Sequence, residues 1–301
     1  MGGVASRRLG PAAKRPETGR PYRPSPLIWA SVGLHGAALA AALMKPSSLR
    51  QTLPLLIADH LALSAAGSWT GGDLLGPNLV RLPAHAHCAD ELCLTFDDGP
   101  DPRSTPEVLD LLDQRSDRAT FFCVGRRVAR YPDLAKEIVQ RGHRIENHTY
   151  HHRNTFAFRL WNGLTEEVDR AQEVIAEIVG RRPQYFRPPA GMRNPILEAV
   201  LARHDLLLVN WTRRGFDAVV RDPAFVVNRL VGSASAGSIL LLHDGALGGG
   251  APPAVDRILP RLLEVLERRG LRSMPIPDGL TPADATSGRS RRVGVDSASS
   301  R

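Results

Sequence analysis

Cysteine is scarce in this chain of 301 residues: Cys88, Cys93 and Cys123 are an odd set, and no pair stands at C-x-x-C or other zinc-ribbon spacing. A disulfide-stapled scaffold is thereby excluded. Cys93 and Cys123 lie inside apolar runs and read as small buried hydrophobes, while Cys88 is uncommitted. Lysine is scarce too, with only Lys14, Lys45 and Lys136 among 39 basic residues. So strong an arginine bias follows coding preference more readily than a phosphate-binding surface. The body also lacks net charge. Of the formal +8, residues 1–60 hold eight basic residues against two acids and residues 280–301 hold four against two, leaving 27 of each sign between. The basic signature belongs to the two ends, which argues against a nucleic-acid-binding function.

What is present suits a folded domain. An apolar content of 43% with 23% charged residues is ordinary for a chain that buries a core. Residues 1–26 are rich in Arg, Pro and Gly without apolar periodicity, the composition of a disordered basic leader. Leu27 to Met44 then runs for eighteen residues without a charged side chain. As a helix it measures about 27 Å, close to a hydrocarbon core. It reads as one membrane span within an anchor region over 27–66, uncleaved because no small-x-small site follows at once. Its apolarity is mostly alanine, so a secretory h-region or a buried helix remains open. Leu53 to Ala66 is shorter and carries Asp59 and His60; it lies in the interface or returns as a hairpin. With an Arg-rich leader in the cytoplasm, one crossing puts the rest beyond the inner membrane, and two keep it facing the cytoplasm. The tail over 280–301 is Ser/Ala/Arg-rich and is expected to be disordered.

From residue 91 short apolar runs alternate with amphipathic segments, the pattern of βα units. Strands are expected at Leu92 to Phe96, Ala119 to Val124, His143 to Glu146, Gln184 to Phe186, Leu206 to Asn210, Ser238 to Leu242 and Leu271 to Met274. The clearest helix has Leu164, Val168, Ala171, Ile175 and Ile178 on one face, with Glu166, Glu167, Asp169, Arg170 and Glu173 on the rest. Others run near Thr105 to Gln114, Asp133 to Arg141, Asn194 to His204, Pro223 to Gly232 and Pro253 to Arg269. This fits an α/β fold, either a β/α barrel, incomplete or not, or an open doubly wound sheet. In both, chemistry collects at the C-terminal ends of strands.

Polar clusters fall at those ends. The first strand leads into Asp97-Asp98-Gly99-Pro100, which alone would pass for a turn with solvated acids. After the third comes His148-Thr149-Tyr150-His151-His152, where His148 and His152 stand at i and i+4 and on a helical turn would share a face. Two histidines and one carboxylate leave a position for water, as a catalytic zinc site does. Asp97 or Asp98 serves as third ligand, and the other is then placed as a general base. Arg187-Pro188-Pro189-Ala190-Gly191 adds a cation on a rigid loop, and His243-Asp244-Gly245 a histidine at another strand end.

Together these residues resemble the polysaccharide deacetylase family with a NodB homology domain, carbohydrate esterase family 4. The resemblance covers about residues 75–278. It rests on Thr95-Phe96-Asp97-Asp98-Gly99, His148-Thr149-Tyr150-His151-His152, Arg187-Pro188-Pro189-Ala190-Gly191, Trp211 to Asp217 and Leu241-Leu242-His243, in that order. It implies a distorted, incomplete (β/α) barrel and removal of N-acetyl groups from amino sugars in a poly- or oligosaccharide of chitooligosaccharide, peptidoglycan or exopolysaccharide type. It implies a divalent metal, zinc above others, on Asp98, His148 and His152. Asp97 is implied as base with Arg187 as its partner, and His243 as acid with Asp217 as its partner. The backbone N–H of Ala190 is implied as oxyanion donor.

Two motifs depart from the family pattern. Ala190 replaces an aromatic residue, whose backbone N–H alanine still supplies. Arg214 and Ala218 stand where an Asp and a Trp are usual, which removes part of a groove wall and bears on substrate. Arg213 and Arg214 read either as contacts to an anionic glycan or as solvated loop residues. A hydrolase of another non-peptide amide or an ester fits the same site. A non-catalytic glycan-binding protein would have shed ligands or base, and all are present. The expected partners are thus a glycan and a membrane, with no nucleic acid and no protein partner implied.

Overall fold

The computed structural model of the chain describes residues 19–245 and 254–287. The disorder expected of the leader and tail falls, for 1–18 and 288–301, outside the described residues. Within them the expectation needs two corrections. Residues 19–25 are docked: Arg20 donates its backbone N–H to Ala202 O at 2.9 Å and pairs with the buried Glu198 carboxylate. Residues 282–287 form a short helix whose Ala285 packs into the barrel interior. Sequence pattern missed both because single anchoring contacts leave no periodicity.

Helix α1 (Pro26–Met44) begins at Ser25, whose hydroxyl accepts from Ile28 N, with proline at the first helical position where no donor is needed. Among the described residues it is the one helix long and apolar enough to cross a membrane. Helix α2 (Leu49–Ser68) folds back on it, and Asp59 of the second apolar stretch accepts from the Ser31 hydroxyl at 2.7 Å, while His60 is exposed. The outer faces expose Leu39, Leu43, Leu53, Leu55 and Leu61. Both ends of this hairpin meet the body on one side, since the Ser25 hydroxyl donates to Leu74 O at 2.6 Å and Arg20 is held on Glu198.

The body is a parallel sheet curled into an incomplete barrel. Its strands are β1 (Glu91–Asp97), β2 (Ala119–Cys123), β3 (Arg144–Asn147), β4 (Tyr185–Phe186), β5 (Leu207–Leu208), β6 (Arg213–Arg214), β7 (Ile239–His243) and β8 (Arg272–Ser273). They run in the order β5-β4-β3-β2-β1-β7-β6, with β8 paired to the start of β1. All seven expected strands form. The eighth, β6, makes a strand of two arginines that had read as loop residues; the ladder from Leu240 and Leu241 of β7 holds them there, not intrinsic propensity. No ladder joins β5 to β6. Residues 79–82 bridge that gap, with Leu79 pairing with Val209 and Arg81 with Ser238.

Helices cover the outside: α3 (Thr105–Asp113), α4 (Gly125–Arg130), α5 (Pro132–Gln140), α6 (Trp161–Val179), α7 (Leu197–Ala202), α8 (Pro223–Val231) and α9 (Val255–Arg268). Alternation along each strand sorts side chains into two layers. Leu92, Leu94 and Phe96 of β1 join Leu240 and Leu242 of β7 in the core beneath the helices. Cys93 and Ile239 point into the barrel with Phe122, Tyr185 and Trp211. Each such Leu or Phe contributes roughly 1.5–3 kcal/mol by burial. The same period of two turns Asp97 and His243 inward at the strand ends, and the register makes them direct neighbours across β1 and β7.

Candidate active site

Asp97 closes β1 and is buried. Arg187, the residue after β4, has no exposed surface and donates from Nη1 to Asp97 Oδ1 at 2.7 Å. Its remaining donors are spent on structure: Nη1 also reaches Thr95 Oγ1 at 2.9 Å, Nε the Val209 carbonyl at 3.1 Å and Nη2 the Asn210 carbonyl at 2.9 Å. The Phe122 ring lies 4.0 Å from the guanidinium carbon. So complete a cage holds the cation although burial pushes its pKa down.

Asp98 sits next in the chain with φ of 77°, a left-handed backbone that turns its carboxylate from the strand toward the histidines. Its Oδ1 lies 3.2 Å from His152 Nε2 and 3.5 Å from His148 Nε2. Gly99 follows because a Cβ there would stand 2.3 Å from Asp244 Oδ2. Burial opposes ionisation of Asp98, but the His148 hydrogen bond and the charges of His243 and His152 take its pKa down to about 2. His152 is lowered to about 4, chiefly by burial and then by His148, which keeps it in the neutral, ligand-competent form.

The histidines do not converge by helical spacing, as i and i+4 had suggested. Residues 148–152 are a loop, with Thr149 at φ 63° and His152 at φ 54°. Asn147 Oδ1 accepts from Thr149 N, and Thr149 Oγ1 accepts from His152 N. Glu167 clamps the loop from α6: its carboxylate accepts from the backbone N–H groups of Tyr150 and His151 and pairs with His151 Nδ1 at 2.9 Å. Sequence periodicity had put Glu167 on the solvent face of that helix, yet it is 2% exposed. Three hydrogen-bonding partners offset its burial, and no local signal distinguishes it from Glu166.

On the other flank His243 ends β7. Its Nδ1 meets Asp217 Oδ1 at 2.9 Å and its backbone N–H donates to Asp217 Oδ2 at 2.7 Å, leaving Nε2 for the cleft. Burial alone would lower its pKa; the charge and hydrogen bond of Asp217, with Asp98 and Asp97 behind, raise it to about 9. Ala190 lies at φ 56° in the loop after Arg187, exposed at the surface of the site. Asp97, Asp98, His148, His152, Arg187, Asp217 and His243 thus lie together at one set of strand ends.

The donor set fits a divalent cation. Asp98, His148 and His152 offer ligand atoms within 4.8 Å of one another. His148 Nδ1 bonds the Arg187 carbonyl at 2.7 Å, which fixes that nitrogen as N–H and frees Nε2. Asp98 Oδ1 is buried without a hydrogen-bond partner, an orphaned atom of the kind an ion satisfies. A second group, His35, Asp59 and His60, has comparable donors but lies in the hairpin.

Parallel curled barrel, mixed Asp/His donors and a paired acid and base define a hydrolase site. Comparison with known proteins agrees. A family model described as polysaccharide deacetylase matches residues 85–209. A peptidoglycan-N-acetylglucosamine deacetylase of Bacillus cereus is 35% identical over 192 residues, 62% of this chain and 86% of that protein. A chitooligosaccharide deacetylase of Bradyrhizobium is 32% identical, over 61% of this chain and 88% of that protein. A crystal structure of a peptidoglycan N-acetylglucosamine deacetylase with a bound N-oxidanyl-benzamide superposes with TM-score 0.60 at 29% identity, covering 66% of this chain and 91% of that one. The chain belongs to the polysaccharide deacetylase family.

Proposed function

We propose that this protein removes N-acetyl groups from amino sugars of a poly- or oligosaccharide, with a zinc ion on Asp98, His148 and His152. The observation that carries the reading is the juxtaposition of Asp97 and His243 on adjacent strands, each locked by its own buried partner, across the Asp98–His148–His152 cluster. The metal, when bound, acidifies a water and polarises the acetyl carbonyl. Asp97 takes the proton of the attacking water through its free oxygen while Arg187 holds the other. The Ala190 N–H donates to the oxyanion that develops. His243 delivers a proton from Nε2 to the sugar nitrogen as the C–N bond breaks, giving acetate and a free amine. Asp217 keeps that imidazole charged and oriented.

The hairpin is proposed as a membrane anchor. Because Arg20 and the body lie on the same side of it, we read the catalytic domain as facing the cytoplasm with the basic leader. Reporter fusions after residue 20 and after Ala66 test this: opposite compartments overturn it. An acetate-release screen over chitooligosaccharide, peptidoglycan and exopolysaccharide fragments tests the activity. Release should stop on chelation, return with zinc, and fall at least about 100-fold in Asp97→Asn. Release unaffected by both would refute the mechanism.

A further inference from the structure

A cleft of about 470 Å³ opens between strand β6 and Trp69, the residue that ends α2. Trp69, Trp211 and Phe216 form its apolar walls, Arg213, Arg214 and Arg229 its charged ones, and no acidic residue lines it among the described residues. Arg81 at its edge is engaged with Ser238, Ser235 and the Ala236 carbonyl, and Arg213 Nε donates to Ser233 Oγ at 2.6 Å. Arg214 and Arg229 differ. Neither has a carboxylate partner among the described residues, and Arg214 Nε is buried without an acceptor. Both guanidiniums instead sit over one ring, Phe216, at 4.3 and 4.6 Å. Burial pushes Arg214 below the usual arginine range; the more distant Asp217 and Asp97 charges oppose that push only in part, and the neighbouring Arg229 charge adds to it. Two cations packed against one aromatic ring and lining a cleft with no acidic residue on its wall are a site suited to an anion.

The cleft adjoins the catalytic cluster. The Trp211 ring lies 5.7 Å from the Arg187 guanidinium carbon on one side and 5.3 Å from that of Arg214 on the other. A Cβ at Gly191 would come within 2.5 Å of Trp211, so the loop carrying Ala190 packs directly on the cleft wall. One Trp211 ring thus separates the guanidinium that holds Asp97 from that of Arg214.

We propose that Arg214 and Arg229 form a phosphate subsite, and that the substrate is an N-acetylated amino sugar carrying a phosphoryl group. Two guanidinium forks match the several acceptor oxygens of a phosphoryl group, monoester or diester, better than those of one carboxylate. Trp69 and Trp211 supply flat apolar faces for sugar rings. The inference rests on the deacetylase reading of the adjacent site. A soluble glycosyl phosphate and a polyprenyl-phosphate-linked sugar present the same group. Trp69, at the foot of a hairpin that exposes Leu39, Leu43, Leu53 and Leu61, favours the lipid-borne form.

Titration calorimetry on the full chain in detergent micelles, loaded with zinc, tests this with diacetylchitobiose, its 1-phosphate and its geranylgeranyl phosphodiester. The two phosphorylated ligands should bind about 10–100-fold tighter than the neutral one. Further gain with the prenyl form assigns a lipid source; equal affinity assigns the soluble phosphate. The ratio of phosphorylated to neutral affinity should approach one in Arg214→Gln/Arg229→Gln, and stay partly elevated in Arg214→Lys. Should the double variant fail to fold, Arg229→Gln alone should cut the ratio about threefold or more. Equal binding of neutral and phosphorylated sugars overturns the proposal, as does a ratio that survives the substitutions. An equal, arginine-dependent gain for an N-acetylmuramic acid disaccharide, whose anion is a carboxylate, overturns the phosphate assignment. Acetate release is followed in parallel: arginine-dependent phosphate binding without release from any ligand refutes the deacetylase reading and leaves the subsite standing.

Discussion

Arg187 donates to Asp97 Oδ1 at 2.7 Å from a position with no exposed surface, while Asp97 Oδ2 lies 3.8 Å from His148 Nε2. One oxygen of the carboxylate is thus reserved for holding it in place and the other faces the histidine cluster. The pair is as much part of the barrel as of the site, because the same guanidinium ties the ends of β1, β4 and β5 through Thr95, Val209 and Asn210.

Arg187→Met should therefore damage stability and catalysis together. Stranding a buried carboxylate costs about 3–5 kcal/mol, readable as a lower urea midpoint. Arg187→Lys keeps the charge but not the planar fork, and should recover part of the stability while kcat stays well below wild type. A lysine variant with full activity would show that the fork is dispensable.

Glu167→Gln probes the loop that brings His148 and His152 together. Its carboxylate serves two backbone N–H groups and one imidazole and touches no proposed ligand. Zinc affinity in a chelator competition should fall about 10–100-fold, with secondary structure by circular dichroism unchanged. Unaltered affinity would mean that the loop holds its shape without the clamp.

That residue also marks where sequence reading stopped. Asp97, Asp98, Arg187 and His243 were legible because each ends an apolar run, and a strand's period of two decides which way the last side chain points. The covering helices were legible from their apolar stripes. Glu167 was not, because its burial depends on orphan amides supplied by a loop 16 residues earlier. The 148–152 loop misled for a related reason: i and i+4 spacing suits a helix, but positive φ at Thr149 and His152 leaves no compositional mark. Strand β6 and the bridging segment at 79–82 exist only through their partners' ladders. The docking of Arg20 on Glu198 is one long-range pair between segments of unrelated pattern.

Asp217→Asn should move the alkaline limb of the pH–rate profile. In the wild type His243 stays protonated up to about 9, so kcat/KM should decline only above that pH. Removing the charge and the charge-assisted bond leaves burial, which lowers the pKa, as the main influence. The limb should then shift toward neutral pH, and activity at pH 8 should drop more than activity at pH 6. A profile of the same shape, merely scaled down, would assign His243 a different role.

His143 makes stability depend on pH away from the metal cluster. It lies at the foot of β3, where Nδ1 accepts from Ala119 N at 3.1 Å and Nε2 is buried without a partner. Burial, reinforced by Arg118, lowers its pKa from 6.5 to about 4. The unfolded chain therefore takes up a proton below about pH 6.5 that the folded chain refuses until about pH 4. The resulting contribution, on the order of 3 kcal/mol, is fully present above 6.5 and is lost as pH falls toward 4. His143→Gln can still accept from Ala119 but does not titrate. Its urea midpoint should fall less steeply than wild type between pH 7 and pH 4, and parallel curves would rule out His143 as a source of acid sensitivity.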